Sequence, residues 1–322
     1  MESELLALEG EPGRFKARIR KEPRYIDLDK CTSCGECTKV CPVDLSDDYQ
    51  EGLATKKATY KQYAQAIPGA FAIDKGDKAP CRLACPGGLN VQGYVNMVKE
   101  GKYKEALQII MQDLPLPGVL GRICPHGCED ACRRCDVDEP VAIRDLKRLA
   151  ADKFDCREIE INCPAPREEK VAIIGSGPAG LSCAYQLAKK GILSTIYEAL
   201  PEAGGMLRVG IPAHRLPREV LDQEIEVITR LGVEIKTNTP LGSDLSVDDL
   251  LNDGYKAVYL ALGAHKGIDL GIPGEKAIGV RQGVEFLRDV NLTGKAEVGK
   301  KLGIIGGGNV AIDVARAATR LG

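Results

Sequence analysis

The chain has 322 residues, 28% of them charged, with a formal net charge of −2; that balance leaves no basic footprint for nucleic acid. The hydrophobic share of 44% is that of an ordinary globular protein, and no apolar run approaches the length of a membrane span. More than one domain is expected at this length. The 13 cysteines suit a reducing, cytoplasmic setting better than a secreted one, because disulfide-dense chains are small and carry a signal peptide.

Residues 1–30 are charged, with a basic stretch from Arg14 to Arg24 read as a solvated face. The run Tyr25-Ile26-Asp27-Leu28 predicts a short strand. Cys31, Cys34, Cys37 and Cys41 then follow in a C-x2-C-x2-C-x3-C-P pattern. In such a run three thiolates reach irons of one [4Fe–4S] cube, and the fourth ligates a second cluster. Zinc favours paired C-x2-C knuckles and fits less well. Residues 43–75 are polar and loop-rich, closing on Phe71-Ala72-Ile73. Two more cysteine groups come next, Cys81 and Cys85, then Cys124, Cys128, Cys132 and Cys135. With ten candidate ligands, two clusters needing eight thiolates leave two over, or a third cluster takes a non-cysteine ligand.

Helical spacing lies between these groups. Val91, Tyr94, Val95 and Val98, then Tyr103, Ala106, Leu107 and Ile110, predict a helix hairpin around Gly101, ended by Leu114-Pro115-Leu116-Pro117-Gly118. A further helix is expected from Val141 to about Lys153, and Cys163 to Arg167 reads as a linker.

The next element predicts a dinucleotide fold. An apolar strand, Val171 to Ile174, runs into Gly175-Ser176-Gly177-Pro178-Ala179-Gly180, then a helix to Lys190 and a second strand from Ser194 ending at Glu198. In this fingerprint the first glycine makes the tight turn, the second lets backbone meet a pyrophosphate, and the third lets helix and strand pack. The acid, expected about 20 residues on, accepts from ribose hydroxyls. A second fingerprint is expected at residues 301–322, with a strand at Lys301 to Ile305, the loop Gly306-Gly307-Gly308-Asn309-Val310-Ala311 and a helix from Ile312. Read alone, it lacks the second strand that would choose NAD or NADP, so a truncated nicotinamide domain is expected. Asp313 is expected to face solvent or pack at the helix start. His126, His214 and His265 read as loop or surface residues, and Cys183 as small core packing.

Cys81-Arg-Leu-Ala-Cys85-Pro86, Gly121-Arg-Ile-Cys124-Pro125, Pro140-Val-Ala-Ile143, the Gly175 loop, Gly204-Gly205-Met206-Leu207, Gly210-Ile-Pro212, Arg215-Leu-Pro217, Leu262-Gly263-Ala264 and the Gly306 loop occur in order. In these stretches residues 76–322 resemble the glutamate synthase small-subunit family of iron–sulfur flavoproteins and the N-terminal half of dihydropyrimidine dehydrogenase. The resemblance implies FAD on the first nucleotide fold, with contacts near Gly205, Met206 and Arg215, and NAD(P)H on the second, at Gly306, Gly308, Asn309 and Val310. The family often has a C-x2-C pair just before Cys81; here those places are Ile73 and Gly76. Residues 1–75 resemble the ferredoxin-type insert found in the heterodisulfide reductase family, through Tyr25-Ile-Asp-Leu-Asp-Lys-Cys31 and Ala66-Ile-Pro. Thiolates of this segment are expected to replace the missing pair.

The expected architecture is therefore α/β. It comprises a ferredoxin-like segment (1–75), a helical iron–sulfur domain (76–165), a Rossmann-like FAD domain (166–300) and the start of an NAD(P)-binding domain (301–322). The expected function is electron transfer between NAD(P)H, FAD and [4Fe–4S] clusters, ending on a partner redox subunit, with no nucleic acid or membrane partner. Two alternatives stay open: a flavin and cluster relay that uses no nicotinamide, and a self-contained reductase of a small substrate.

Overall fold

The computed structural model describes residues 3–321 apart from 22, 76–77 and 244. Gly76, one of the two places where the resemblance lacks a cysteine, lies outside the described residues. The chain divides into two units, residues 1–85 with 127–141, and residues 86–126 with 142–322.

The first unit opens with an antiparallel hairpin of β1 (Ser3–Glu9) and β2 (Lys16–Lys21), in which Leu5 faces Ile19 and Leu8 faces Ala17. The strand expected at Tyr25 to Leu28 does not form. Tyr25 is left-handed at φ 59°, the Asp27 carboxylate accepts the Asp29 N–H, and the Asp27 carbonyl accepts the Cys31 N–H. These local bonds turn the chain where a strand would need a ladder. α1 (Glu36–Lys39) follows, then two small antiparallel pairs: β3 (Asp44–Ser46) with β4 (Thr55–Lys57), and β5 (Thr59–Tyr60) with β6 (Ala72–Ile73). Among the described residues of this unit the buried apolar side chains are only Ala58, Ala66, Ala70 and Ala72.

Six helices come next: α2 (Pro80–Leu83), α3 (Val91–Lys99), α4 (Tyr103–Met111), α5 (Pro117–Ile123), α6 (Gly127–Asp130) and α7 (Ile143–Lys153). α2 and α6 belong to the first unit and pack on each other. The others belong to the second. The expected hairpin is α3 and α4, turned at Gly101 with φ 72°. Its buried stripe is Val91, Tyr94 and Val98 against Ala106, Leu107, Ile110 and Met111, and the Tyr94 hydroxyl donates to the Ile143 carbonyl at 2.9 Å. α5 starts at Pro117, inside the expected break, because proline's fixed φ suits a first helical position. Gly121 lets it lie against α7: a Cβ there would stand 2.7 Å from the Arg148 Cα.

The nucleotide fold of the second unit comprises β7 (Lys170–Ile174), α8 (Pro178–Ala188), β8 (Leu193–Tyr197), α9 (Met206–Val209), α10 (Arg218–Thr229), β9 (Glu234–Lys236), α11 (Val247–Asn252) and β10 (Ala257–Leu260). The sheet is parallel throughout, in the order β10-β7-β8-β9. Alternate residues serve its two faces. Ile173 and Ile196 pack with Leu181, Tyr185, Leu221 and Ile228, while Ala172, Ile174 and Tyr197 pack with Leu250. α12 (Gly283–Thr293) and α13 (Asn309–Leu321) share a separate cluster of Phe286, Leu287, Val314 and Ala317. The strand expected at Lys301 to Ile305 is not formed. No other described segment pairs with this backbone, and Leu302, Ile304 and Ile305 stand exposed.

Candidate functional site

The strand order reverses at β7: β8 and β9 run outward on one side and β10 lies on the other. In open parallel sheets ligands bind beyond the strand carboxyl ends at such a switch point. The loop Gly175 to Gly180 stands there, between β7 and α8. Gly175 has φ 104°, and a Cβ on it would sit 2.4 Å from the Ala261 carbonyl oxygen, just after β10. A Cβ on Gly180 would meet the Gly175 oxygen at 1.9 Å. Both glycines are required by the fold. Gly177 is different: the nearest atom to its Cβ position is the Gly205 Cα, 4.0 Å away. Its open side, with Pro178 and Ala179 exposed beside it, is the cradle a pyrophosphate would fill, and the N-terminus of the 11-residue α8 supplies partial positive charge.

Glu198 is buried at the end of β8. Its Oε2 accepts from the Ser176 N–H at 2.8 Å and the Ser176 hydroxyl at 2.5 Å, and its Oε1 accepts from the Leu200 N–H at 2.9 Å. The same hydroxyl accepts from the Gly204 N–H at 3.0 Å. Gly205, at φ 53°, brings its backbone against Gly177; a Cβ there would stand 2.7 Å from the Gly177 Cα. Ser176 thus ties the glycine loop, the acid and the Gly204–Gly205 turn into one piece. Sequence reading passed over Ser176, although its place between two fingerprint glycines marks it.

Met206 begins α9 and is half-buried. Arg215, which the resemblance implies near the flavin, donates from its Nη1 to the Asp313 Oδ2 at 2.5 Å. Asp313 is buried near the start of α13, the second of its two expected placements. It lies on the inward face of α13 with Val314 and Ala317. Gly306 is left-handed at φ 115°, nothing approaches Cβ positions at Gly307 or Gly308, and Asn309 and Val310 open α13 exposed. His214 is exposed beside this helix. Partial desolvation of the ring, then the nearby Arg320 and Arg316 charges, hold its imidazole below its usual value, against the pull of Asp313. His265 also lies in a loop.

None of the 13 cysteines forms a disulfide. Ser33 (φ 59°) and Gly35 (φ 82°) take left-handed backbone conformations between Cys31 and Cys37. The Thr59 hydroxyl donates to the Cys37 carbonyl at 3.0 Å, and the Thr38 hydroxyl donates to the Thr59 carbonyl at 3.1 Å. The Glu36 backbone N–H, then the Thr32 side chain, hold the Cys34 thiol below its usual value. Burial pushes the Cys41 thiol up, but hydrogen bonds from Thr59, Val43 and Ala58 carry it below the usual value. Cys81 on α2 is raised, chiefly by burial, with Cys132 and Cys85 close enough to add to the effect. Cys128 lies on α6 and Cys135 in the turn after it. Cys124 caps α5 and accepts the His126 N–H at 3.4 Å. In donor chemistry these thiols fit iron. Their side chains are not gathered: among the described residues no three Cys, His, Asp or Glu groups converge as a metal site. Of the later cysteines, Cys156 is buried with its thiol pushed up to about 12 by burial, Cys163 is exposed, and Cys183 packs on the sheet core as expected.

Glu224 of α10 is a further buried acid that sequence reading did not single out. Its Oε1 accepts from the Gly118 N–H, and its Oε2 from the Val119 N–H at 3.1 Å. Burial pushes the carboxyl up to about 8. It joins α10 of the nucleotide fold to the first turn of α5, the helix that ends at Cys124.

Comparison with known proteins agrees with this division of labour. Residues 24–45 match the 4Fe–4S binding domain family. Residues 53–159 match domain II of dihydropyrimidine dehydrogenase, a 4Fe–4S cluster domain, and residues 169–322 match the pyridine nucleotide-disulphide oxidoreductase family. The chain is 48% identical over 271 residues to the NADP(+)-dependent formate dehydrogenase subunit beta of Moorella thermoacetica, covering 76% of this chain and 38% of that protein. It is 44% identical over 301 residues to the NADPH-Fe(3+) oxidoreductase subunit beta of Geobacter sulfurreducens, covering 91% and 44%. It is also 35% identical over 257 residues to the glutamate synthase [NADPH] small chain of Escherichia coli, covering 75% and 54%. The resemblance to the glutamate synthase small chain is borne out, as are the iron–sulfur and Rossmann-like nucleotide folds. The chain spans roughly half the length, or less, of these curated relatives. Among the described residues no helix is long and apolar enough to cross a membrane.

Proposed function

We propose that this chain is the cluster- and flavin-bearing part of an NAD(P)H-dependent oxidoreductase, which passes electrons between NAD(P)H, FAD and [4Fe–4S] clusters and on to a partner subunit. The observation that carries the reading is the glycine loop at the β7 switch point, with an open cradle at Gly177, on the same chain as ten candidate cluster cysteines, four of them in ferredoxin-type spacing. FAD is assigned to Gly175, Gly177, Pro178, Ala179, Gly180, Glu198, Gly205 and Met206. NAD(P)H is assigned to Gly306, Gly308, Asn309 and Val310, and the clusters to the ten cysteines between Cys31 and Cys135.

Bound flavin would supply exchange of either one or two electrons, which joins a hydride donor to one-electron clusters. The protein's part is to hold and orient. Ser176 and Glu198 keep the glycine loop shaped before any ligand arrives. α8 offers its N-terminus to phosphate. Burial and backbone donors around the cysteines tune potential. NADPH is the first nucleotide to test, since the relatives at 48% and 44% identity both carry NADP or NADPH in their names.

The test is anaerobic purification of the full-length protein followed by stopped-flow mixing with NADPH and NADH. Flavin bleaching followed by cluster reduction supports the reading. Flavin and clusters that respond only to a reduced partner protein favour a relay without nicotinamide. Zinc in place of iron and sulfide defeats the cluster assignment.

A further inference from the structure

We propose that the Arg215–Asp313 ion pair is the tether that sets α13 and its glycine loop against the flavin-side segment 204–217, so that Arg215 is a positioning residue for hydride transfer and not a flavin contact. The proposal rests on the assignment of flavin to the Gly175 loop and nicotinamide nucleotide to the Gly306 loop.

Four observations carry it. Asp313 is buried on the second turn of α13, a few residues after Asn309 and Val310, and its Oδ2 accepts from Arg215 Nη1 at 2.5 Å. A buried carboxylate requires a charged or well-bonded partner, so this guanidinium is committed. The backbone carrying Arg215 is itself fixed: the Arg215 and Leu216 N–H groups donate to the Pro212 carbonyl, and Leu216 is fully buried in the sheet core. α12 and α13 behave as one body, with Gly283 of α12 so near α13 that a Cβ would meet Val310 Cγ1 at 3.1 Å and Val314 Cγ2 at 3.3 Å. Finally, the apolar cluster of α12 and α13 is separate from the sheet cores. Polar ties therefore bridge them: Arg215 to Asp313, and Asn291 Nδ2 to the Val209 carbonyl at 2.9 Å.

If the pair sets the approach of the two nucleotide loops, its loss should slow hydride transfer without emptying the flavin site. A displacement of about 1 Å between reacting groups can cost about 100-fold in rate. The experiment is a double-mutant cycle in the full-length protein with Arg215→Ala, Asp313→Ala, the double variant and the swap R215D/D313R. Each is read for FAD content, dithionite reduction and NADPH-driven flavin bleaching. The expected result is normal FAD and dithionite behaviour, bleaching slowed roughly 10- to 100-fold in both single variants, a double variant no slower than either, and partial recovery in the swap. Loss of FAD from Arg215→Ala alone, with Asp313→Ala unaffected, would make Arg215 a flavin contact and overturn the proposal. So would wild-type bleaching rates in both. Should an alanine variant fail to accumulate, the isosteric Asp313→Asn carries the same readouts. A wild-type flavin that neither NADPH nor NADH reduces defeats the parent assignment, and the tether with it; slow variants of a competent wild type cannot be confused with that outcome.

Discussion

Gly177 and Gly180 stand three residues apart, yet a side chain would do opposite things to them. At Gly180 a Cβ would lie 1.9 Å from the Gly175 oxygen and 3.2 Å from Ile173 Cγ2, so Gly180→Ala must move β7 or α8. Overpacking of this kind costs roughly 1–3 kcal/mol or more, and the variant should melt measurably lower by circular dichroism. At Gly177 the space is open, so Gly177→Val should fold with a near-normal melt and purify without FAD. A normal flavin spectrum in that variant would remove Gly177 from the cofactor site. Glu224 gives a prediction in pH. Its folded value of about 8 exceeds the ordinary 4.5 because burial disfavours the charge. Between those limits the folded state holds a proton that the unfolded state has lost, so stability falls as pH rises from about 4.5 to about 8, then levels. Glu224→Gln should flatten that slope. Glu224→Ala, which strands the Gly118 and Val119 N–H groups, should cost roughly 1–3 kcal/mol per group. Urea melts across pH 5 to 9 would show both.

Among elements, the cysteine loop and the nucleotide fold are built from separate segments. Cys34→Ser should therefore lose one cluster by EPR and iron assay while flavin content stays at the wild-type level; a joint loss would contradict the separation. The elements also differ in how far sequence revealed them. The α3–α4 hairpin and the β7–α8–β8 unit were legible because their apolar periods, 3.6 and near-continuous, are set by burial against one core. The β1–β2 hairpin was not: both its strands are almost wholly exposed, so no buried face imposes a pattern. Tyr25 to Leu28 looked like a strand by composition, but Asp27 closes a local turn instead. Lys301 to Ile305 has strand composition without a ladder partner. The site divides the same way. Fingerprint glycines were visible as motifs. The ion pair of Asp313 was not, because its partner Arg215 lies 98 residues away, and neither was the role of Ser176, whose bonds depend on how the Gly204 turn folds back.

At the scale of the whole molecule, the two units differ in what holds them. Every large fully buried side chain among the described residues, from Leu89 to Leu250, lies in the second unit. The first has four buried alanines and small paired strands. With so little apolar burial over about 100 residues, this unit is expected to rely on bound clusters for its fold. Iron near eight atoms per chain with equal sulfide, two [4Fe–4S] clusters' worth, is the expected content. Stripping it by chelation and oxidant should collapse amide protection across residues 3–85 and 127–141 while β7, β8 and α8 exchange as before. Equal loss in both units on hydrogen-exchange mass spectrometry would show that they do not stand independently.

Ser176 joins Glu198 to the Gly204 turn through bonds made entirely by the chain itself. On the flavin assignment proposed above, this implies an order of maturation: a glycine loop already shaped by the chain takes up FAD without the ordering cost of an unformed site. The cysteine segments must wait for delivery of iron and sulfide. In a cell short of iron, the species that accumulates should therefore be yellow and not brown: flavin-loaded, with its nucleotide fold intact and its first unit open to proteolysis.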